Sequence, residues 1–467
     1  MIFVFHCESL FLSKIRTCNP NFAVPREFSF RLTAGFCINP SRFSHNKGRR
    51  ILKGWCITME ERNEGMPLWT AINDVPALYP WLFKEETCDV CVIGGGVTGA
   101  LCALRLASSG VDTVLISGGP IGYGATAACS GSMRFDVAGG LRELSAGIGI
   151  DQAVRVYHMC EEAITSLERL TSSLEADCGF YRTDGLLFTC DENSVEDLRK
   201  EYLLRRHNGF EVEFLRREQE KDAYSFPMAA GILSKSLAAA ADPYRLTHAV
   251  AAAAQKAGAR IYENTTIEHI SGEEGPHILR ADTRRTVTAG TVVLAIGRET
   301  LSFLRGCGSR RTSFSVATAP VGAFSGWPDR CVIHSADHPE VTFSVTPEGR
   351  ILASGLETGL IDRNRRMAGL LPADALAAKK YRHLEDEICE MFPGIRETDA
   401  EYGFMGDYLE TDDGLPLIGS HPEYPNCFFA LCGGENGILF SEIAANLIVD
   451  LCRGNTPETA DLFSPQR

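Results

Sequence analysis

Along this chain, short apolar runs of strand length alternate with segments whose apolar residues recur every three or four positions, the period of a helix with one buried face. The run Cys88–Ile93 predicts a buried strand, and Leu101, Leu104 and Leu106 within Ala100–Ser109 predict a helix that stops at Gly110. Thr113–Ile116 predicts a second strand. Between residues 151 and 175, the positions Val154, Tyr157, Ile164, Leu167, Leu170 and Leu174 mark a long amphipathic helix, with His158 packed beside its stripe. Gly185–Thr189 and Glu211–Leu215 read as short strands. Asp242-Pro243 opens a helix through Ala257 that Gly258 closes, and Arg260–Tyr262, Thr266–Ile270 and Thr291–Ile296 follow as strands. The alternation continues across the chain, so the sheet draws on widely separated segments.

The first strand–helix–strand unit carries Gly94-Gly95-Gly96-Val97-Thr98-Gly99 where strand turns into helix. That context makes the glycine pattern informative. Gly94 permits the tight turn, Gly96 lets backbone approach a pyrophosphate, and Gly99 lets helix and strand pack closely. The helix N-terminus then presents unsatisfied N–H groups to the phosphates. An acid usually ends the second strand of such a unit and holds a ribose hydroxyl; here Ser117 stands there, a weaker partner.

Composition narrows the partners. With 467 residues, 45% of them apolar, the chain is long enough for one large core or two interlocked ones. A formal net charge of -14 opposes nucleic acid and anionic membrane. No apolar run approaches the ~20 residues of a membrane span. The 17 cysteines lack zinc-type paired spacing, and their place in apolar runs fits a reduced, cytoplasmic setting. Cys88 and Cys91 formally make a C-x-x-C pair, but thiols three apart on a strand are expected to diverge. Residues 1–58 hold nine Lys/Arg against two Asp/Glu and no clear period. They read as an extension: a transit peptide, or, as the ordinary polar start after Met59 favours, sequence upstream of a start at Met59 or Met66.

An ordered set of segments carries a family resemblance. Besides the glycine turn, it comprises Ile121-Gly122-Tyr123-Gly124-Ala125-Thr126, Asp242-Pro243-Tyr244-Arg245-Leu246, Val293-Leu294-Ala295-Ile296-Gly297, Asp413-Gly414-Leu415-Pro416-Leu417-Ile418-Gly419 and Gly433-Gly434-Glu435-Asn436-Gly437-Ile438. Over about residues 86 to 456 the chain resembles the D-amino-acid oxidase superfamily of FAD-dependent oxidoreductases. The resemblance implies an α/β fold: a discontinuous Rossmann-type FAD-binding domain with an inserted α+β substrate domain of mainly antiparallel sheet. The expected segments are 86–145, 235–310 and 400–456 for FAD, and 146–234 and 311–399 for the substrate domain. The implied FAD contacts are Gly94, Gly96, Val97, Thr98, Gly99, Ser117, Gly124, Ala125, Thr126, Ile267, Gly297, Gly414, Gly434, Asn436, Gly437 and Ile438, with no metal. Covalent flavin links in relatives use a histidine or a cysteine where this chain has Ala128 and Gly406, so FAD is expected to be non-covalent. The lysine that helps sarcosine oxidase react with oxygen aligns near Ala353, which leans towards a dehydrogenase.

The implied reaction is oxidation of a small amine or amino acid by hydride transfer from Cα–H to flavin N5, followed by imine hydrolysis. The acceptor, whether oxygen, a quinone or a carrier, stays open. Glycine oxidase carries an arginine where this chain has Glu435, a reversal of charge that argues against a simple amino-acid carboxylate there. An acid near a helix start is also favoured on its own account. Arg134 is the alternative anchor, Tyr408 and His334 are pocket candidates, and Arg350 reads as a turn residue. The competing readings are a dehydrogenase of a hydroxy acid or polyol and a flavoprotein without small-molecule turnover.

Overall fold

The computed structural model describes residues 67–217, 223–272, 276–337, 340–359, 375–395 and 400–467; the N-terminal extension read from the sequence lies outside them. The first sheet holds β1 (Glu86–Ile93), β2 (Thr113–Ile116), β7 (Arg260–Tyr262), β8 (Ile267–Ser271), β9 (His277–Ala281), β10 (Thr286–Leu294), β16 (Leu417–His421) and β17 (Tyr424–Leu431). Its parallel part runs β17-β10-β1-β2-β7, while β16 is antiparallel to β17 and β9 is antiparallel to the start of β10. The second sheet holds β3 (Ser132–Arg134), β4 (Tyr181–Thr189), β5 (Val212–Arg216), β6 (Ala230–Ala240), β11 (Ser309–Pro320), β12 (Val332–Ser335), β13 (Val341–Val345), β14 (Arg350–Gly359) and β15 (Ala400–Glu410). It runs β15-β11-β14-β13-β12-β4-β6-β3 and is antiparallel except between β12 and β4.

The helices are α1 (Leu68–Ile72), α2 (Val97–Ser108), α3 (Gly140–Ile148), α4 (Ile150–Ser173), α5 (Val195–His207), α6 (Pro243–Lys256), α7 (Ala375–Met391) and α8 (Gly437–Cys452). Nine of the twelve residues of α2 are buried, because it lies against the sheet and between α6 and α8. Each of its leucines contributes about 2 kcal/mol by leaving water, which fixes the helix that opens at the glycine turn. At α6, Asp242 accepts from the N–H groups of Tyr244 and Arg245, both at 2.9 Å, and Pro243 occupies the first turn. The helix start read from the sequence is thus capped as expected.

Three departures have physical causes. β3, β15 and the 235–240 part of β6 pair into the second sheet although they fall within segments expected to bind FAD. The run Ala238-Ala239-Ala240 is too small-sided to show alternation, so periodicity cannot assign it. Within β1, the N–H groups of Asp89 and Val90 both reach Asp112 O, and this irregularity brings Cys88 and Cys91 into the same buried cluster instead of letting them diverge. Both thiols are buried and unoxidised, and the Cys88 contact together with burial raises Cys91 well above its ordinary range, so Cys91 stays a protonated thiol. Ala353 packs in the core on the far side of the second sheet, among Phe314, Leu384 and Phe392. The side chain at position 353 itself therefore points away from the site.

Candidate active site

The cradle for a dinucleotide is built where β1 gives way to α2. Gly94 has φ +123°, and a Cβ there would overlap the carbonyl of Ala295 at the end of β10. A Cβ on Gly99 would overlap the carbonyl of Gly94. Those two glycines are required by the protein's own packing. Gly96 differs, because an added Cβ would meet only Thr126 Oγ1, at 3.0 Å. No side chain on Gly96 caps α2, and its first turn carries no acid. A helix start with no cap from its own N-cap residue, beside a glycine whose one close neighbour is a hydroxyl oxygen, fits a pyrophosphate.

The loop Gly124-Ala125-Thr126 lies over this start, with Val97 N–H donating to Thr126 Oγ1 at 3.1 Å. Gly124 and Gly434 both have positive φ and open space where a Cβ would be, as a backbone surface against a planar ring requires. Ser117 closes β2 beside Gly95, and Ile267 packs in the core at the start of β8. A buried carboxylate missed by the sequence reading, Glu263, follows β7. It accepts from Tyr79 N–H at 3.2 Å and Ile121 N–H at 3.1 Å, so it fastens the loop entrance and does not replace the acid missing at Ser117. Gly297 and Gly414 occupy turns with φ of +56° and +69°. Trp69 of α1 reinforces the loop, donating from Nε1 to Cys129 O at 2.8 Å. Ala128 and Gly406 face each other, and the adjacent Cys129 thiol is pushed up to about 12 by burial, so none of the three offers a thiolate or imidazole to a flavin.

The second sheet supplies the substrate side. Arg134, at the end of β3, is 6% exposed. Its Nη2 lies 2.5 Å from Glu435 Oε2 and its Nε 3.4 Å from Asp136 Oδ1. Asn436 locks this corner, accepting from Arg134 N–H at 3.2 Å and donating to Asp136 O at 2.6 Å. Asn436 makes no side-chain cap on α8, so the helix start is open towards the loop. Glu435 gives one carboxylate oxygen, Oε2, to Arg134. Behind them the fully buried Arg205 bonds Asp136 at 3.3 Å and Glu201 at 2.7 Å.

His334, a pocket candidate from the sequence, faces the same corner and donates to or accepts from Thr342 Oγ1 at 2.9 Å. Burial first, and then the Arg134 charge, push it down to about 4, which keeps it neutral. His334, Glu340 and Glu435 bring ligand atoms within 4.8 Å of one another, but the Arg134 guanidinium on Glu435 opposes a metal ion there. Tyr408 donates to the Glu357 carboxylate, and Arg311 pairs with Glu410 at 3.0 Å. Glu357, Glu410, Arg311 and Asp136 all escaped the sequence reading. Arg350, read as a turn residue, opens β14 and pairs with Glu401 at 2.5 Å.

Comparison with known proteins agrees with this geometry. The family model described as FAD dependent oxidoreductase matches residues 89–451. Gamma-glutamylputrescine oxidoreductase of Escherichia coli (strain K12) is 24% identical over 407 residues, covering 83% of this chain and 88% of the relative. The crystal structure of glycine oxidase from Geobacillus kaustophilus superposes with a TM-score of 0.67 at 22% identity, covering 82% of this chain and 99% of the other. L-alpha-glycerophosphate oxidase from Mycoplasma pneumoniae, solved with FAD bound, superposes with a TM-score of 0.64 at 16% identity over 79% of this chain and 95% of the other. The cradle at Gly94–Gly99, the uncapped α8 and the matched span together place this chain in the family of FAD-dependent oxidoreductases, as an enzyme of the amine or amino-acid oxidising type.

Proposed function

We propose that the chain oxidises a small cationic amine that carries no carboxylate on the reacting carbon. The observation behind this reading is the Arg134 ion pair. The guanidinium that would anchor a substrate carboxylate is already held by Glu435 at 2.5 Å and Asp136 at 3.4 Å. Three carboxylates, Glu435, Asp136 and Glu201, against the two guanidiniums of Arg134 and Arg205 leave the corner net negative, with His334 neutral beside it. A further carboxylate brought to within ~4 Å of Glu435 would meet repulsion of up to about 4 kcal/mol at the effective dielectric of a half-buried site, whereas an ammonium is attracted by as much. Bound FAD supplies the acceptor for the hydride released from the amine carbon. The protein's part is to hold the amine against the Gly433–Gly437 loop, through Glu435, and to keep Arg134 from competing for anions. The free thiols of the described residues support a cytoplasmic setting.

Turnover of primary and secondary amines, α-amino acids and α-hydroxy acids with an artificial electron acceptor tests this reading. Amines are expected to give kcat/KM at least tenfold above the amino acids of the same chain length. Preference for a hydroxy acid, or for an amino acid over its amine, would overturn it.

A further inference from the structure

One side chain reaches the site only because the second sheet is irregular. On β11, Val316 and Phe314 face the far core, while Ala317 and the alternate positions Ser315, Ser313 and Arg311 face Ala128 and the cofactor loop. Register carries the same division across to β15, where Phe404, Gly406, Tyr408 and Glu410 share the loop-facing side. It carries it to β14 as well: Ala353 lies opposite Val316 in the far core, and Leu352 opposite Ala317 towards the loop. In an unbroken ladder Glu357, four residues after Ala353, would point into the far core.

It does not, because β14 carries one extra residue. Phe314 pairs with Gly355 and Thr312 with Thr358, so Leu356 and Glu357 together stand opposite the single residue Ser313. Leu356 takes φ +53°, a left-handed conformation unusual for a side chain of that kind, and buries itself in the far core. The bulge flips the parity. Glu357 emerges beside Arg311 and Tyr408, on the face that looks at Ala128. Tyr408 donates to its carboxylate, and among the described residues no cation pairs with it. Arg311 is engaged by Glu410, and Arg134 by Glu435 and Asp136.

We infer that Glu357, held by Tyr408 on the bulge of β14, is the group that takes a proton from the substrate ammonium. The inference rests on the amine reading above. An ammonium has no lone pair to assist loss of a hydride from its α-carbon, so it must first become a neutral amine. In the step, one N–H bond of the R–CH2–NH3+ ion breaks, its electron pair stays on nitrogen, and the proton forms an O–H bond on the Glu357 carboxylate. The products are R–CH2–NH2 and a neutral carboxylic acid, which returns the proton to solvent. Burial raises Glu357 to about 7, the Tyr408 hydrogen bond and Arg311 work to lower it, and the charges of Glu435 and Glu410 raise it further. A carboxyl near 7 is matched to proton transfer at neutral pH.

The pH dependence of kcat/KM decides the matter, using FAD-loaded protein and the best amine of the substrate panel. Wild type is expected to lose activity as the pH falls below about 7, where Glu357 becomes protonated. Glu357→Gln is expected to reduce kcat/KM by about a hundredfold or more. It should also replace that limb with one that rises up to the pKa of the amine itself. Tyr408→Phe removes the hydrogen bond that stabilises the charged form, so its acid limb should move to higher pH; this variant carries the test if the glutamine variant loses FAD. Thermal melts supply a folding control with a fixed sign. A raised carboxyl contributes stability that is complete below its ordinary range and lost as pH rises through about 7, so Glu357→Gln should melt no lower than wild type at alkaline pH. A glutamine variant with the wild-type profile and rate, or an unshifted limb in Tyr408→Phe, overturns the inference while leaving amine oxidation standing. Failure of every amine to reduce the flavin removes both.

Discussion

Gly96→Val is expected to yield a folded protein that purifies without colour. The added Cβ would approach only Thr126 Oγ1, at 3.0 Å, a side-chain atom that need give by only a few tenths of an ångström, so the fold can absorb it. The extra methyls, however, stand at the start of α2, where the pyrophosphate must come against backbone. FAD content should fall to background while the thermal transition of the apoprotein is retained. Gly99→Val is expected to behave differently, because its side chain would strike the Gly94 carbonyl and part α2 from β1. That variant should be insoluble or unfolded, at a cost of several kcal/mol. Visible absorbance and a melt of each variant separate the two effects. A yellow Gly96→Val protein would show that the cofactor does not lie against this turn.

Glu435→Gln is expected to raise the apparent KM of the preferred amine about tenfold or more, which is about 1.4 kcal/mol of lost attraction, with FAD content unchanged. The same change frees one edge of Arg134, so amino acids should gain relative to amines. Removing the Glu435 charge also relieves one of the influences that raise Glu357, and the acid limb of kcat/KM should therefore move to lower pH. Glu435→Arg sets a second guanidinium beside Arg134 and should abolish amine preference while improving glycine relative to wild type. The competing role, an acid favoured at the start of α8, predicts equal losses on amine and amino acid that track a lower melting temperature. The geometry weighs against that role, since the Glu435 carboxylate faces Arg134.

The sequence carried the cradle and lost half the substrate side, for reasons that lie in the chain. The glycine turn is local: strand, turn and helix occupy consecutive residues, and the backbone demands of Gly94 and Gly99 are met within one supersecondary unit. Arg134 stands out because it follows the cofactor turn, and Glu435 and Asn436 because they lie in the last glycine loop of the family resemblance. Their further partners were not legible. Asp136 and Arg205 meet only through the docking of α5 against α3 and the second sheet. Glu357 sits in a run, Gly355-Leu356-Glu357-Thr358, whose alternation would turn the carboxylate to the wrong face; only the pairing of β14 with β11 reveals the extra residue. Trp69 and Glu263 act on the loop from segments far away in sequence, through a Cys129 carbonyl and an Ile121 amide that carry no side-chain signature.

Anaerobic mixing of the FAD-loaded protein with propylamine and, separately, with 2-aminobutyrate tests the central claim most directly, because the two compounds differ only by a carboxylate on the reacting carbon. Loss of the visible flavin band with propylamine, and a much slower or absent loss with 2-aminobutyrate, is the predicted result. Rapid bleaching by 2-aminobutyrate with none by propylamine would contradict the account, since it would require Arg134 to leave Glu435 and Asp136 and bind the substrate carboxylate instead.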